Sequence, residues 1–222
     1  MSFKIGQSAF DFCEESVFPP VRLSGDGSLN FQQLPMTDAC VSYAPNFLSV
    51  DEANIAFEEL AATLEWRQDN IVLFGKKVKI PRLQAWYGDS NASYMYSGLL
   101  MQAMPWTESL DRLKSRCEKQ CNKQFNSVLA NLYRNGADSM GMHADDEPEL
   151  GTKPTIASLT LGAARNFIFK HKLNKQKYSL VLEHGSLLVM QGNTQQYWQH
   201  GMNKTKRVNN PRINLTFRYV YQ

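Results

Sequence analysis

The stretch SMGMHADDEPELG, residues 139–151, sets His143 two positions ahead of Asp145 and crowds Asp146, Glu147 and Glu149 behind them. The chain has only four histidines. A packed core has no use for so many carboxylates, and a solvated loop has no use for the imidazole. In an extended segment residues i and i+2 point the same way, so His143 and Asp145 can grip one ion. A third ligand must come from elsewhere. His171 ends an apolar run at a polar turn and His184 sits beside Gly185 in a hairpin-like turn, both ordinary surface settings. His200, in QQYWQHGM, lies between aromatics and a glycine just before the last apolar run, and is the favoured partner. Two histidines and a carboxylate make one face of a non-haem Fe(II) site, leaving three positions open for a co-substrate and dioxygen. Three ligands are too few for a closed structural zinc site, and no cysteine cluster completes one. The HxD spacing alone is a weak signal that arises often by chance.

A second pattern raises it. In PRINLTFRY, Arg212, Asn214, Thr216 and Arg218 alternate with Ile213, Leu215, Phe217 and Tyr219. The odd positions supply a core face. A purely structural strand would turn the even positions to water. A strand facing a cavity would instead present two guanidiniums, which bind carboxylates bidentately. Six residues span about 20 Å of strand, so arginines leaning inward from its ends can clamp a short dicarboxylate.

The elements that must position these residues follow from periodicity. SVDEANIAFEELAATLEW opens with a capping-box spacing, Ser49 to Glu52, and sets Ile55, Leu60 and Leu64 on a helical apolar face. PWTESLDRLKSRCEKQ reads as a second helix, with Pro105 and Thr107 at its start and Leu110, Leu113 and Cys117 spaced three and four apart. After residue 124 the texture changes to short apolar runs broken by turns: NSVLANLYR, TIASLTLG, RNFIFKH, YSLVLEH, SLLVMQG and RINLTFRYVY. Helices first and strands second predict an α+β fold, a double-sheet jelly roll buttressed by N-terminal helices. Residues 1–45, with FPP and SGDGS, read as an irregular extension, and 46–222 as one domain with its jelly-roll core at 125–222.

Composition bounds the rest. The 222-residue chain is 43% hydrophobic and 20% charged with a net charge of +3, an ordinary globule that neither demands nor excludes nucleic acid. No signal-peptide run opens the chain and no stretch approaches a membrane span, so an intracellular, cytoplasmic protein is expected, with nucleoid or nuclear association open to it and no membrane partner. Cys13, Cys40, Cys117 and Cys121 are then expected to be reduced. A monomer is expected, since no heptad or symmetric patch appears.

Taken in order, NLYRNGADSMGMHADDEPELG, PTIASLTLGAARNFIFKHK, HGSLLVMQGNTQQYWQHGM and PRINLTFR resemble the AlkB family of Fe(II)- and 2-oxoglutarate-dependent dioxygenases, nearest to its members that demethylate duplex DNA. The resemblance runs through most of residues 67–221. It implies a double-stranded β-helix with a nucleotide-recognition lid at 67–104, and metal ligands at His143, Asp145 and His200. It implies 2-oxoglutarate contacts at Asn131, Tyr133, Arg212, Thr216 and Arg218, with Asn214 a neighbour on that face. The implied reaction uses Fe(II), dioxygen and 2-oxoglutarate to hydroxylate the N-methyl group of 1-methyladenine or 3-methylcytosine, releasing formaldehyde, succinate and CO2.

A base in a duplex must be flipped out to be reached. The resemblance makes Leu73, Phe74 and Gly75 the tip of a finger that fills the vacated stack, with Lys76, Lys77, Lys79 and Arg82 on phosphates. Tyr94 and Tyr96 match positions of the family that line the base pocket, which implies that Tyr96 stacks on the flipped base opposite His143, where the duplex-acting pattern has Phe at the second position. Asp146 and Glu147 accept hydrogen bonds from an exocyclic amine, while Glu149 is read as solvated. Trp86, Trp106 and Trp198 are read as core anchors. Two other readings compete: an oxygenase acting on RNA or a protein side chain, and a non-catalytic module that recognises damaged DNA.

Overall fold

A computed structural model describes residues 31–73, 75–90, 92, 94–96, 99–101 and 103–221, with only the backbone at 71–73, 94–96 and 99–101. The remainder of the expected extension, with Cys13, and the expected finger residue Phe74 lie outside the described residues. In chain order the elements are β1 (Gln32–Gln33), β2 (Cys40–Ala44), α1 (Val50–Thr63), β3 (Asn70–Leu73), β4 (Lys76–Lys79), β5 (Leu83–Gly88), β6 (Tyr94–Tyr96), β7 (Leu99–Met101) and α2 (Glu108–Cys121). They continue with β8 (Ser127–Tyr133), β9 (Met140–His143), a 3-10 turn at Pro148–Leu150, β10 (Ile156–Gly162), β11 (Arg165–His171), β12 (Lys177–Leu182), β13 (Ser186–Gln191), α3 (Thr194–Tyr197), β14 (Trp198–Met202) and β15 (Arg212–Arg218).

A seven-stranded sheet in the order β1-β2-β13-β10-β15-β8-β5 faces a four-stranded one, β12-β11-β14-β9. Period-two alternation gives the large sheet two buried faces. One face carries Val128 and Ala130 of β8, Leu159 and Leu161 of β10, and Ile213, Leu215 and Phe217 of β15, all packed with Leu60 of α1 and Leu110, Leu113 and Cys117 of α2. The other carries Leu129, Leu188 and Met190, which pack with Trp86 on Phe169, Leu182 and Trp198. The helices thus cover one side of the sheet, and the site residues of β8 and β15 belong to the other.

Both helices start where local chemistry dictates. Glu52 N–H donates to Ser49 Oγ at 3.2 Å and Ser49 N–H to Glu52 Oε2 at 2.8 Å, closing the capping box. Thr107 Oγ1 accepts from Leu110 N–H at 3.3 Å. The apolar face of α1 differs from the expected one. Ala53, Ala56 and Leu60 are buried, while Ile55 is 54% exposed. At about 100° per residue, position 55 lies off the 53/56/60 stripe.

The boundaries read from the sequence need two corrections. Residues 40–44, assigned to the extension, are a fully buried strand that pairs with β13 from Cys40↔Gln191 to Ala44↔Leu187. Within 67–104, β5 belongs to the large sheet, paired with β8 from Leu83↔Leu132 to Gly88↔Ser127. Only the hairpins β3–β4 and β6–β7 stand as separate two-stranded sheets. Cys40, Cys117 and Cys121 are buried, and burial pushes the Cys121 thiol up to about 12. Trp86 and Trp198 are core residues at 2% exposure each. Among the described residues no helix is long and apolar enough to cross a membrane.

Truncating Leu60 to Ala should cost about 2–5 kcal/mol of unfolding free energy, since it empties a filled site. Ile55→Ala should stay within about 0.5 kcal/mol of the parent. Urea unfolding midpoints of the two variants check both expectations.

Candidate functional site

His143 ends β9 and His200 lies within β14, and the ladder of the small sheet sets the two side by side. Their ring centroids are 4.4 Å apart. The register shifts between His200 and Met202, so the strand carrying His143 gains a residue there. Such a bulge re-aims side chains. It also brings the strands close: a Cβ at Gly201 would sit 2.9 Å from the Gly141 oxygen. His143 Nδ1 lies 2.9 Å from the same Gly141 carbonyl oxygen. A carbonyl can only accept, so Nδ1 carries the hydrogen and the Nε2 lone pair is left for a ligand role.

His200 is buried against the rings of Phe167, 5.4 Å between centroids, and Phe169, at 6.1 Å. That burial, helped by His143, pulls its pKa down to about 3. The imidazole is therefore neutral at physiological pH, the form that binds a metal. Asp145 is 3% exposed. Its N–H donates to Gln195 Oε1 at 2.9 Å, and its Oδ1 accepts from Arg218 Nη2 at 2.7 Å. Burial alone would raise its pKa, but Arg218, then His200 and His143, hold it below the usual carboxylate value. Oδ2 is buried without a hydrogen bond, 3.6 Å from His200 Nε2. One donor atom from each of His143, Asp145 and His200 lies within 4.8 Å of the others.

The facing wall comes from the large sheet. Its register places Arg212 beside Tyr133 and Asn214 beside Asn131, and Thr216 beside Ser158. The even positions of β15 therefore face inward, with Arg212 2%, Thr216 7% and Arg218 4% exposed. Arg212 donates to Thr160 Oγ1 at 2.9 Å, and its guanidinium stands 5.3 Å from the Tyr133 ring centroid. Burial lowers its pKa to about 10, which leaves it cationic, and no carboxylate among the described residues balances it. Asn214 donates to Ser158 Oγ at 2.9 Å and to the Leu159 carbonyl at 3.0 Å, and its Oδ1 accepts from Thr216 Oγ1 at 3.2 Å. One cavity between the sheets is lined by His143, Asp145 and His200 on one side and by Asn131, Tyr133, Arg212, Asn214, Thr216 and Arg218 on the other. The donor set fits a divalent metal: two imidazoles, one of them with its Nε2 lone pair free, and a carboxylate oxygen that lacks a partner. The uncompensated Arg212 fits an anion.

Other predicted residues stand apart from that lining. Arg82, grouped with the lysines, is 3% exposed, and its Nε donates to Asn131 Oδ1 at 2.7 Å. It is turned away from the solvent where a phosphate would lie, and fixes a wall residue instead. Asp146 is exposed and its Oδ2 is taken by Lys172 Nζ at 2.9 Å. Glu147 keeps a buried Oε2 with no hydrogen bond. Gly75 turns the β3–β4 hairpin with φ +76, a conformation that favours glycine. Lys76, Lys77 and Lys79 are all exposed on β4. The backbone of Leu73 ends β3 and that of Tyr94 and Tyr96 forms β6, but their side chains are outside the described residues. His171, expected at the surface, is 2% exposed, with its Nε2 3.4 Å from Asp38 Oδ2. His184 Nδ1 accepts from Gly162 N–H at 2.8 Å.

Sequence reasoning passed over three groups. Met140, Phe167, Met190 and Met202 supply apolar lining. Gln195 and Lys172 grip the acidic loop. Lys204, Lys206 and Arg207 are exposed on the loop after β14. That loop is laced to residues 135–139 by Gly136 N–H to the Val208 carbonyl, 2.7 Å, and Thr205 N–H to the Gly136 carbonyl, 2.8 Å. Ser139 N–H in turn donates to the Pro81 carbonyl at 3.0 Å, close behind the lysines of β4. The basic string KTKR was the available signal for the last group.

Comparison with known proteins agrees with this geometry. The family model described as 2OG-Fe(II) oxygenase superfamily matches residues 40–218. Alpha-ketoglutarate-dependent dioxygenase alkB homolog 3 of Homo sapiens is 38% identical over 212 residues, covering 91% of this chain and 73% of that protein. DNA oxidative demethylase ALKBH2 of Mus musculus is 41% identical over 180 residues, covering 76% of this chain and 75% of that protein. The solved structure of OsALKBH1 superposes with a TM-score of 0.60 at 16% identity, over 85% of this chain and 99% of that one, a likeness of fold. The jelly roll, the matched domain and these identities together make the chain a member of the AlkB family of Fe(II)- and 2-oxoglutarate-dependent dioxygenases.

Proposed function

We propose that this dioxygenase removes N-methyl groups from 1-methyladenine and 3-methylcytosine in DNA, releasing formaldehyde, succinate and CO2. The observation that carries the reading is a single cavity with a neutral imidazole and an unpartnered carboxylate oxygen on one wall and an unbalanced buried guanidinium on the other. His143 Nε2, His200 and Asp145 would hold the iron. When bound, iron with 2-oxoglutarate and dioxygen supplies the oxidising power to hydroxylate an N-methyl carbon. The hydroxymethyl product releases formaldehyde without a protein nucleophile.

The chain's own residues do the rest. Arg218 sits at the metal end of β15, bonded to Asp145, and Arg212 at the other end beside Tyr133. A 2-oxoglutarate molecule between them would meet a cation at each carboxylate, with Asn131 and Thr216 on the intervening wall and Asn214 bonded to Thr216. Arg82 acts through Asn131 and not on DNA. Phe167 and the lining methionines keep water from the reacting carbon.

DNA as substrate draws support from the relative named as a DNA oxidative demethylase and from the exposed lysines of the β3–β4 hairpin. The sequence Leu73-Phe74-Gly75 is apolar and turn-forming, as a wedge between stacked bases requires. By the family resemblance Tyr94 and Tyr96 are assigned to the flipped base, which aromatic faces can stack against. Of the two acids beyond Asp145, Glu147 has an oxygen without a hydrogen bond and is the better acceptor for an exocyclic amine, since Asp146 is already paired with Lys172.

Incubated with Fe(II), 2-oxoglutarate, air and a duplex carrying one 1-methyladenine, the protein is expected to release formaldehyde in step with restored adenine, read by mass spectrometry. His143→Ala should abolish this. Turnover of RNA or peptide in place of the duplex would move the substrate, and absence of 2-oxoglutarate consumption under any condition would overturn the enzyme reading. Arg212→Lys, which loses two-pronged bonding at one carboxylate, should raise the KM for 2-oxoglutarate about 10- to 100-fold, the equivalent of about 1.5–3 kcal/mol. Lys76→Gln with Lys77→Gln should weaken duplex binding uniformly across sequences. The slope of log affinity against log salt should flatten by about 2, at about 0.9 per phosphate contact.

A further inference from the structure

Gln195 and Lys172, neither of them a metal ligand, close a ring of hydrogen bonds around the Asp145–Asp146 peptide. Gln195 Oε1 accepts from Asp145 N–H at 2.9 Å. The backbone carbonyl of Gln195 accepts from Lys172 Nζ at 2.9 Å, and the same ammonium reaches Asp146 Oδ2 at 2.9 Å. The ring is anchored outside itself. Lys172 N–H donates to the Tyr197 carbonyl at 2.7 Å, and Thr194 Oγ1, next to Gln195, accepts from Cys40 N–H of the large sheet at 2.9 Å.

Packing does not account for Gln195. It is 2% exposed, and a buried amide is costly unless its polar atoms are used. Among the described residues its Nε2 reaches only the Met190 sulfur, at 3.5 Å. Its oxygen, by contrast, meets the one backbone donor that sets where Asp145 stands. The ladder between β9 and β14 ends at His143↔His200, so Asp145 has left the sheet before it presents its carboxylate. The ring replaces the lost ladder. It ties the ligand loop to residues 194–197, which run directly into the strand of His200.

We propose that Gln195 and Lys172 are positioning residues for the metal centre: they hold the Asp145–Asp146 peptide against the His200 strand, so the carboxylate is aimed before the metal arrives. The inference rests on His143, Asp145 and His200 being the ligands. Neither residue touches the reacting atoms. Lys172 has a second effect, since by occupying Asp146 Oδ2 it leaves Glu147 as the freer of the two acids.

The test is metal affinity of the full chain without co-substrate or DNA. Metal-free protein is titrated with Co(II), and the visible absorption of the bound ion is followed. The parent should bind and His143→Ala should not. Gln195→Leu, close in volume but without an acceptor, should bind about 10- to 100-fold more weakly, the range for loss of a group that orients a ligand. Gln195→Glu keeps an acceptor and should stay closer to the parent than to Gln195→Leu. Lys172→Met, at a side chain that is 28% exposed and so safer for folding, should weaken binding by about tenfold. The double variant should lose less than the two single losses combined, because both act on one ring. Parent-like affinity in both single variants, or full additivity, would overturn the proposal. So would a loss of Co(II) affinity matched by an equal loss of unfolding stability in the metal-free protein, which would assign both residues to folding alone. Binding that survives His143→Ala unchanged would instead sink the ligand assignment beneath it.

Discussion

Asp145 and Arg218 meet at 2.7 Å with their side chains 4% and 5% exposed, and much of the site follows from that contact. Neither charge could be buried alone, since removing an ion from water costs several kcal/mol even after relaxation. Asp145 comes from the loop after β9 and Arg218 from the end of β15, so the pair bridges the two sheets inside the cavity. Arg218 also keeps Asp145 ionised against its burial, so the metal site has its negative ligand already in charged form.

The same economy governs β15 as a whole. Its odd residues, Ile213, Leu215 and Phe217, seal the helix side of the sheet, and its even residues line the cavity. A strand buried on both faces can carry binding groups on one without loosening the other. The cavity polar groups are mostly bonded to one another, as in the chain Thr216 to Asn214 to Ser158. Arg82 fixes Asn131 from behind. Rotamers held in this way give a co-substrate a preset outline.

Much of this was legible in the chain because side-chain alternation is a local property. The six runs read as strands after residue 124 are β8, β10, β11, β12, β13 and β15, and the residues of HxD and RxNxTxR line one cavity. What escaped was non-local. MGMH and WQHGM lack alternation and become β9 and β14 through pairing across the small sheet. Residues 40–44 are a short uniform run whose strand character comes from β13. Arg82 looked like one of four neighbouring cations. A bend at residues 81–82 carries it from an exposed strand into the body, which no spacing rule reports. Gln195 holds a backbone group fifty positions away and leaves no pattern at all.

The β3–β4 hairpin shares no strand with either sheet and is tied at its base by Ile80 N–H to the Asp69 carbonyl, 2.9 Å, and by Gln84 Nε2 to Asp69 Oδ2, 2.7 Å. These ties run through residues that do not line the cavity. Such modularity has a hazard. On the proposed reading, a copy whose hairpin no longer engages DNA would still hold every group that lines the cavity, so 2-oxoglutarate and dioxygen could be spent with no base repaired.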